Sequence, residues 1–203
     1  MKIMRTTSLL VLVLVARSLA QTWVGTGAAP GATTGPHLNI AVGYTSFMMP
    51  IPSASRVELN GVDLSGRMDL SPHWGAVVDS TYASAANVFG SQHNFSAFNS
   101  YIGPTFYPAE HGKTRTFIHA LAGVSRIGGI VPKPDGGSVH GWAGRFSYGV
   151  GGGLERHLSG PFSLRLSSDY LRTAFYDDTN VVRPQNNLRL TAGYAVHLGN
   201  HLP

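Results

Sequence analysis

The feature that most constrains the fold is an alternation of apolar and polar residues that recurs along the chain. In residues 162–171, FSLRLSSDYL, Leu164 and Leu166 alternate with Arg165 and Asp169. Successive side chains of a β-strand point to opposite faces, so this pattern predicts a strand with one apolar and one charged face. The apolar face would meet a core in a soluble sheet and lipid in a membrane barrel. The function depends on which of these two holds.

The same alternation recurs in segments separated by turn residues, and no segment of useful length has the period of a helix. About eight strands are therefore predicted, over residues 38–48, 61–70, 74–83, 95–107, 115–127, 142–155, 162–171 and 187–198. Residues 115–127 are apolar on both faces at first, so that their facing is ambiguous. The predicted loops alternate between long ones, near 84–94, 128–141 and 174–186, and short ones, near 71–73, 108–114 and 156–160. This asymmetry is typical of outer membrane barrels, which have short periplasmic turns and longer external loops.

Composition favours the membrane alternative. Charged residues make up 12% of the chain, whereas about a quarter is usual for a soluble domain. After residue 20 there is no run of about twenty apolar residues that could form a transmembrane helix. A low fraction of charged residues without long apolar runs indicates membrane-spanning strands, in which apolar lipid-facing residues alternate with inward-facing ones. Aromatic residues near the predicted strand ends suggest two interfacial girdles: Trp74, Tyr82, Phe95, Phe106, Trp142, Phe162 and Tyr170.

The N-terminus has the features of a secretory signal. Lys2 and Arg5 precede a short apolar stretch, and residues 18–20 end in a small residue that suits cleavage before Gln21. The predicted organisation is a signal peptide over 1–20, a flexible Gly/Ala/Thr/Pro lead-in over 21–36 and a barrel over 37–203. Cleavage would lower the formal net charge from +5 to +2, which argues against a nucleic-acid partner. The chain has no cysteine, which excludes disulfides, thiolate catalysis and a lipoprotein anchor.

Four stretches, in their order, resemble the small OmpA-like outer membrane β-barrels of Gram-negative bacteria, the outer membrane protein β-barrel domain group. They are YIGPTFYP (101–108), FIHALAGVSRI (117–127), YGVGGGLERHLSGPFSLRLSSDYLRT (148–173) and the closing strand that ends at Leu198. The resemblance spans roughly residues 38–198. It implies an all-β, eight-stranded antiparallel up-and-down transmembrane β-barrel in the outer membrane, and it implies no particular ligand. The chain departs from the usual pattern at Leu198, where such barrels carry a terminal aromatic residue that the assembly machinery is thought to read.

In a membrane barrel the charged faces of the strands point inward. Eight strands leave an interior that side chains just fill, and buried charges must be paired and hydrogen-bonded. We therefore predict a structural salt-bridge network in the lumen, and a gated ion path through it is the alternative. His119 and His197 are expected to be lumenal and hydrogen-bonded. The predicted network consists of Asp63, Arg67, Asp69, Asp79, Arg145, Glu155, Arg165, Asp169 and Arg189.

No catalytic, cofactor or metal site is predicted. His157 and Ser159 form the one His-x-Ser sequence, in a turn, and the histidines lack the spacing of metal ligands. Asp177, Asp178 and Asn180 could meet a cation, but a solvated acidic loop is the simpler interpretation. The expected protein is a non-enzymatic monomer whose partners are outer membrane lipids and the assembly machinery. Its expected role is structural or cell-surface interaction. A narrow channel, a lipid-modifying barrel enzyme and a soluble periplasmic ligand-binding barrel are the alternatives.

Overall fold

A computed structural model describes residues 37–50, 56–86, 94–132, 138–176 and 182–198. The predicted signal peptide and lead-in lie outside these residues. Within them, no helix is both long and apolar enough to pass through a membrane. The strands are β1 (His37–Pro50), β2 (Arg56–Asp69), β3 (Trp74–Ala85), β4 (Phe95–Phe106), the two-residue β5 (Glu110–His111), β6 (Thr114–Pro132), β7 (Ser138–Ser159), β8 (Phe162–Tyr176) and β9 (Val182–Leu198).

The eight long strands form a closed antiparallel barrel. Each long strand pairs with its neighbour in sequence, and β4 pairs directly with β6 across the short β5 hairpin. The first and last strands also pair, from Leu38 opposite Leu198 to Met48 opposite Leu188. Closure leaves no long edge whose backbone groups would be unpaired in lipid. The predicted eight-stranded up-and-down barrel is confirmed.

The two ends of the barrel differ in how the strands are joined. At one end, which we call the turn end, the connections are Leu70–His73, Tyr107–Lys113 and Gly160–Pro161. Gly112 and Gly160 have φ of 58° and 56° there, a left-handed conformation that favours glycine. At the opposite end, which we call the loop end, the strands are joined by segments outside the described residues: 51–55, 87–93, 133–137 and 177–181.

Several strands extend further toward the loop end than the sequence predicts. β6 and β7 pair as far as Pro132 opposite Ser138, so most of the predicted 128–141 loop is a hairpin. The predicted 174–186 loop is also shorter in the structure, because β8 and β9 pair as far as Tyr176 opposite Val182. β2 begins at Arg56 instead of residue 61. Glycine, proline and polar residues in these segments favour turns locally, but cross-strand hydrogen bonds and side-chain contacts override that preference.

The outer surface of the barrel is apolar. Leu166 and Leu190 are 41% and 40% exposed, and Phe146 is 66% exposed. Such side chains alternate with buried ones along every long strand, and soluble monomers rarely expose so extensive an apolar surface. The apolar face of the 162–171 segment is therefore the lipid-facing one, although Leu164 is only half-buried.

The aromatic side chains only partly follow the predicted girdles. Trp74 and Trp142 are exposed on the outer surface, and the same is true of Tyr82, Phe162 and Tyr170. Phe106 is half-buried, with its ring centroid 4.9 Å from that of Trp74. The prediction that Phe95 belongs to a girdle is wrong. Its side chain follows the inward alternation of β4 and packs against the buried core.

The interior is mainly apolar toward the loop end and mainly charged toward the turn end. Inward apolar side chains toward the loop end form a hydrophobic core, and buried polar side chains such as Asn99 and Asn187 lie among them. The ambiguous strand β6 contributes to both halves through Phe117 and Leu121, while Ile118 faces outward. The core consists of Phe47, Met49, Val57, Leu59, Val77, Ala83, Ala97, Tyr101, Leu121, Ile127, Leu171 and Phe175.

Candidate functional site: the lumenal charge network

Inward-facing glycines of β7 make room for the charge network. A side chain at Gly151 would collide with the carboxylate of Asp169 on β8. A Cβ atom at Gly153 would lie 2.8 Å from Cζ of Phe117 on β6. An eight-stranded barrel has little interior space. Glycines on the inward face of β7 therefore leave room for the side chains of Asp169 and Phe117, which point into the lumen from the adjacent strands. The glycines of the GVGGG run (149–153) therefore allow close packing against large neighbouring side chains.

Arg189 on β9 is the centre of the network. Its Nη1 lies 2.5 Å from Oδ1 of Asp79 and 3.5 Å from Oδ2 of Asp63, and its Nε donates to Oδ2 of Asp169 at 2.9 Å. Thr81 accepts a bond from Nη1 at 2.5 Å and donates to Asp63 at 2.9 Å. The guanidinium is 1% exposed. One buried cation thus links side chains of β2, β3, β8 and β9.

His119 extends this cluster to β6. Its Nε2 donates to Oδ1 of Asp169 at 2.6 Å, and both side chains are fully enclosed. Asp169 therefore lies between Arg189 and His119, and each of its oxygens has a donor. The placement of His119 agrees with the expectation of a lumenal, hydrogen-bonded histidine.

A second cluster closes the turn end around Asp69. Arg115 donates from Nη1 to Oδ2 of Asp69 at 2.8 Å, and the hydroxyl of Tyr107 donates to Oδ1 at 2.5 Å. The Arg115 guanidinium also stacks 3.5 Å from the centre of the Tyr107 ring. Burial and the Asp69 acceptor raise the pKa of Tyr107 above its usual range, so the hydroxyl stays protonated as a donor.

The predicted network does not include Arg115 or Tyr107, the two partners of Asp69. Arg115 begins a strand whose facing was ambiguous, and Tyr107 was included among the residues of the predicted strand 95–107. A signal was nonetheless present in the sequence. Arg115 and the inward-facing Phe117 are two residues apart, which is the spacing of one face of a strand.

A third cluster joins the ends of β7, β8 and β9. Oε1 of Glu155 lies 2.7 Å from Nε2 of His197, and Oγ of Ser163 lies 2.8 Å from the same nitrogen. His197 was expected to be lumenal, and the structure places it there at the margin of the turn end. These contacts tie the closing strand to the two strands before it.

Arg67 and Arg165 are held mainly by stacking, which differs from the predicted mutual pairing of charges. Their guanidinium carbons lie 3.4 Å and 5.0 Å from the centre of the Phe117 ring, a cation–π arrangement. Arg165 also donates to Ser65 at 3.0 Å. Nε and Nη2 of Arg67 are buried and have no hydrogen-bond partner among the described residues.

Arg145 lies apart from the other predicted charges. It follows the inward alternation of β7, next to the pair Ser125–Ser147, but toward the loop end, where it is only half-buried. Its Nη1 donates to the carbonyl of Gly144 at 3.4 Å. The eight others — Asp63, Arg67, Asp69, Asp79, Glu155, Arg165, Asp169 and Arg189 — lie in the three clusters or around Phe117.

Of the other candidate residues, only His157 and Ser159 lie within the described residues. His157 is half-buried and Ser159 is exposed, with a register shift between them. Asp177, Asp178 and Asn180 lie outside the described residues. Within the described ranges, no group of three or more His, Asp or Glu side chains could hold a metal ion. The lumenal arrangement is suited to joining strands and sealing the interior.

Comparisons with known proteins agree with this geometry. No family model and no curated protein match the sequence. Among solved structures, neisserial surface protein A superposes with a TM-score of 0.61 at 13% identity, covering 78% of this chain and 96% of that one. Ail of Yersinia pestis, in complex with the heparin analogue sucrose octasulfate, gives 0.53 at 18% identity, covering 80% and 99%. The outer membrane protein OprG of Pseudomonas aeruginosa gives 0.50 at 8% identity, covering 82% and 97%.

This chain has the fold of a small outer membrane β-barrel. At these identities the likeness establishes the fold alone, because one fold can serve many functions. The barrels it resembles include a neisserial surface protein and the attachment invasion locus protein of Yersinia pestis, so the fold is compatible with several roles.

Proposed function

We propose that this barrel is exported to the outer membrane and inserted there as a monomer. The turn end faces the periplasm, and the loop end faces outward and contacts partners at the cell surface. In this proposal the barrel is a closed, rigid support for the four connections 51–55, 87–93, 133–137 and 177–181. It has no enzymatic role.

The observation that carries this proposal is the packed interior. Phe47, Leu59, Leu171 and Phe175 are at most 2% exposed and belong to one buried apolar core toward the loop end. Below this core, Arg189 is engaged by three carboxylates. A solute would have to displace both the core and the ion pairs. Any binding of partners is therefore expected at the two ends of the barrel and not in its lumen.

Surface exposure of the 133–137 segment is the first expected result. A protease site inserted there, in the full chain with its own signal sequence, should be cut in intact cells because this segment joins β6 to β7 at the loop end, which faces outward in this proposal. The same site inserted after Lys113, at the turn end, should be cut only after the outer membrane is permeabilised. The reverse pattern, or protection of both sites in intact cells, would contradict the proposed orientation.

A narrow channel is the second candidate, favoured by the polar side chains of the turn-end half. The apolar core predicts that the purified barrel in a planar lipid bilayer gives no single-channel steps. Steps that appear with the wild-type chain and disappear with Arg165→Gln would show an ion path through the lumen. Steps retained in that variant would be assigned to bilayer defects or another route, and silence would support the closed barrel.

A further inference from the structure

Two arginines interrupt the apolar outer surface near the loop end. Arg126 on β6 and Arg172 on β8 are both exposed, and both follow the outward alternation of their strands. In the described part of the chain, no hydrogen bond or ion pair engages either guanidinium. Charged side chains on a lipid-facing strand are costly at the bilayer centre and tolerated near the interfaces. Their position indicates the headgroup region.

The strand register places an aromatic pair between these arginines. Arg126 lies opposite Gly144 on β7, and Arg172 lies opposite Tyr148 on the same strand. Between those two positions Phe146 points outward, and its ring centroid is 6.2 Å from that of Tyr148. The missing side chain of Gly144 lets the Arg126 stem pack there, since a Cβ atom at that glycine would lie 3.4 Å from Cγ of Arg126.

The opposite wall of the barrel lacks this basic character. Among the described residues, the outward charges of β1 to β4 are Arg56 and Glu58, two positions apart on one face of β2 and opposite in sign. Glu58 also accepts a hydrogen bond from Ser46 at 2.8 Å. Within the ranges that the structure describes, outward positive charge without a neighbouring acid is therefore concentrated on the β6–β8 wall.

We propose that Arg126 and Arg172 bind the phosphate groups of anionic lipids in the leaflet around the loop end. A guanidinium suits phosphate because it offers paired donors in a planar fork, and the exposed faces of Phe146 and Tyr148 suit the adjoining acyl chains. This inference rests on the proposed orientation. In that orientation the leaflet is the outer one, and the ligand is a phosphorylated glycolipid.

Lipid retention by the mature barrel tests this proposal. The barrel is placed in nanodiscs of phosphatidylcholine that contain a small fraction of bisphosphorylated lipid A, and bound lipid A is counted by native mass spectrometry. Each interfacial arginine contributes about fivefold to the affinity for an anionic lipid, so the double variant R126Q/R172Q should bind about 25-fold more weakly. Lipid A without its phosphates should bind both proteins equally weakly.

The matched control is R56Q, which removes an outward arginine at the same end of the barrel. It should retain lipid A like the wild type because Glu58 already offsets that charge. Equal retention by wild type and R126Q/R172Q, or an equal loss in R56Q, would overturn the proposal. Such a failure is distinguishable from failure of the surface role, because cleavage of the 133–137 segment in intact cells does not depend on lipid A binding.

Discussion

Arg189→Met is expected to lower the free energy of unfolding of the barrel by about 3–5 kcal/mol, the usual cost of removing one partner of a buried ion pair. Methionine fills much of the same volume, but the carboxylates of Asp63, Asp79 and Asp169 lose the cation that they share. Their mutual repulsion and their incomplete hydrogen bonding then raise the free energy of the folded state only. In the unfolded chain, water solvates each carboxylate separately.

Urea titration of the barrel in phosphatidylcholine vesicles measures this loss, with the fluorescence of Trp74 and Trp142 as the signal. Arg172→Met is the matched control. It removes an exposed arginine of the neighbouring strand β8 that makes no hydrogen bond or ion pair with the described residues, so it should change the unfolding free energy little. An Arg189→Met barrel as stable as the wild type would show that the three-carboxylate cluster contributes nothing to stability.

Gly151→Val is expected to prevent formation of the native barrel. A Cβ atom at Gly151 would overlap the Asp169 carboxylate and lie 2.8 Å from the carbonyl oxygen of Ser168. Asp169 would have to leave both Arg189 and His119, so the substitution combines overpacking with the loss of the buried ion pair. The folded form should be absent from unheated gels, on which folded barrels migrate differently from boiled ones.

Gly66→Val provides the control for the glycine-to-valine change itself. Gly66 faces outward on β2, and nothing lies within 4 Å of the position that its Cβ would occupy. This variant should fold and show the heat-dependent shift, since valine is favoured in strands and at lipid-facing positions. A Gly151→Val chain that folds as well as Gly66→Val would exclude a packing role for the β7 glycines.

The strands could be predicted from the sequence because alternation is a local property. Leu166 and Arg165 occupy opposite faces whatever the rest of the chain does, and closure into a barrel follows from apolar outer faces that lipid must cover. Strand ends were predicted poorly, as at Arg56 and Pro132. The residue at which a strand ends depends on whether the neighbouring strand still pairs with it. The register of that pairing cannot be predicted from the local sequence.

The members of the charge network were predicted from the same alternation, but their pairing was not. Inward-facing Asp63 and Arg189 are 126 positions apart, and only the register of the closed sheet brings them together. The stacking of Arg67 on Phe117 was missed because β6 is apolar on both faces at its start. Arg115 and Tyr107 were missed because their partner Asp69 lies on a strand that meets them only around the turn end.

The pairing of the first strand with the last has a consequence for how the chain matures. One of the two strands that pair with β1, and the guanidinium that three carboxylates share, come from β9, which is translated after the other strands of the barrel. A nascent chain that ends before Val182 has neither the seam nor the cation, so the barrel cannot close before β9 is made. Until then the outward leucines and aromatics are not yet arranged on one closed apolar surface.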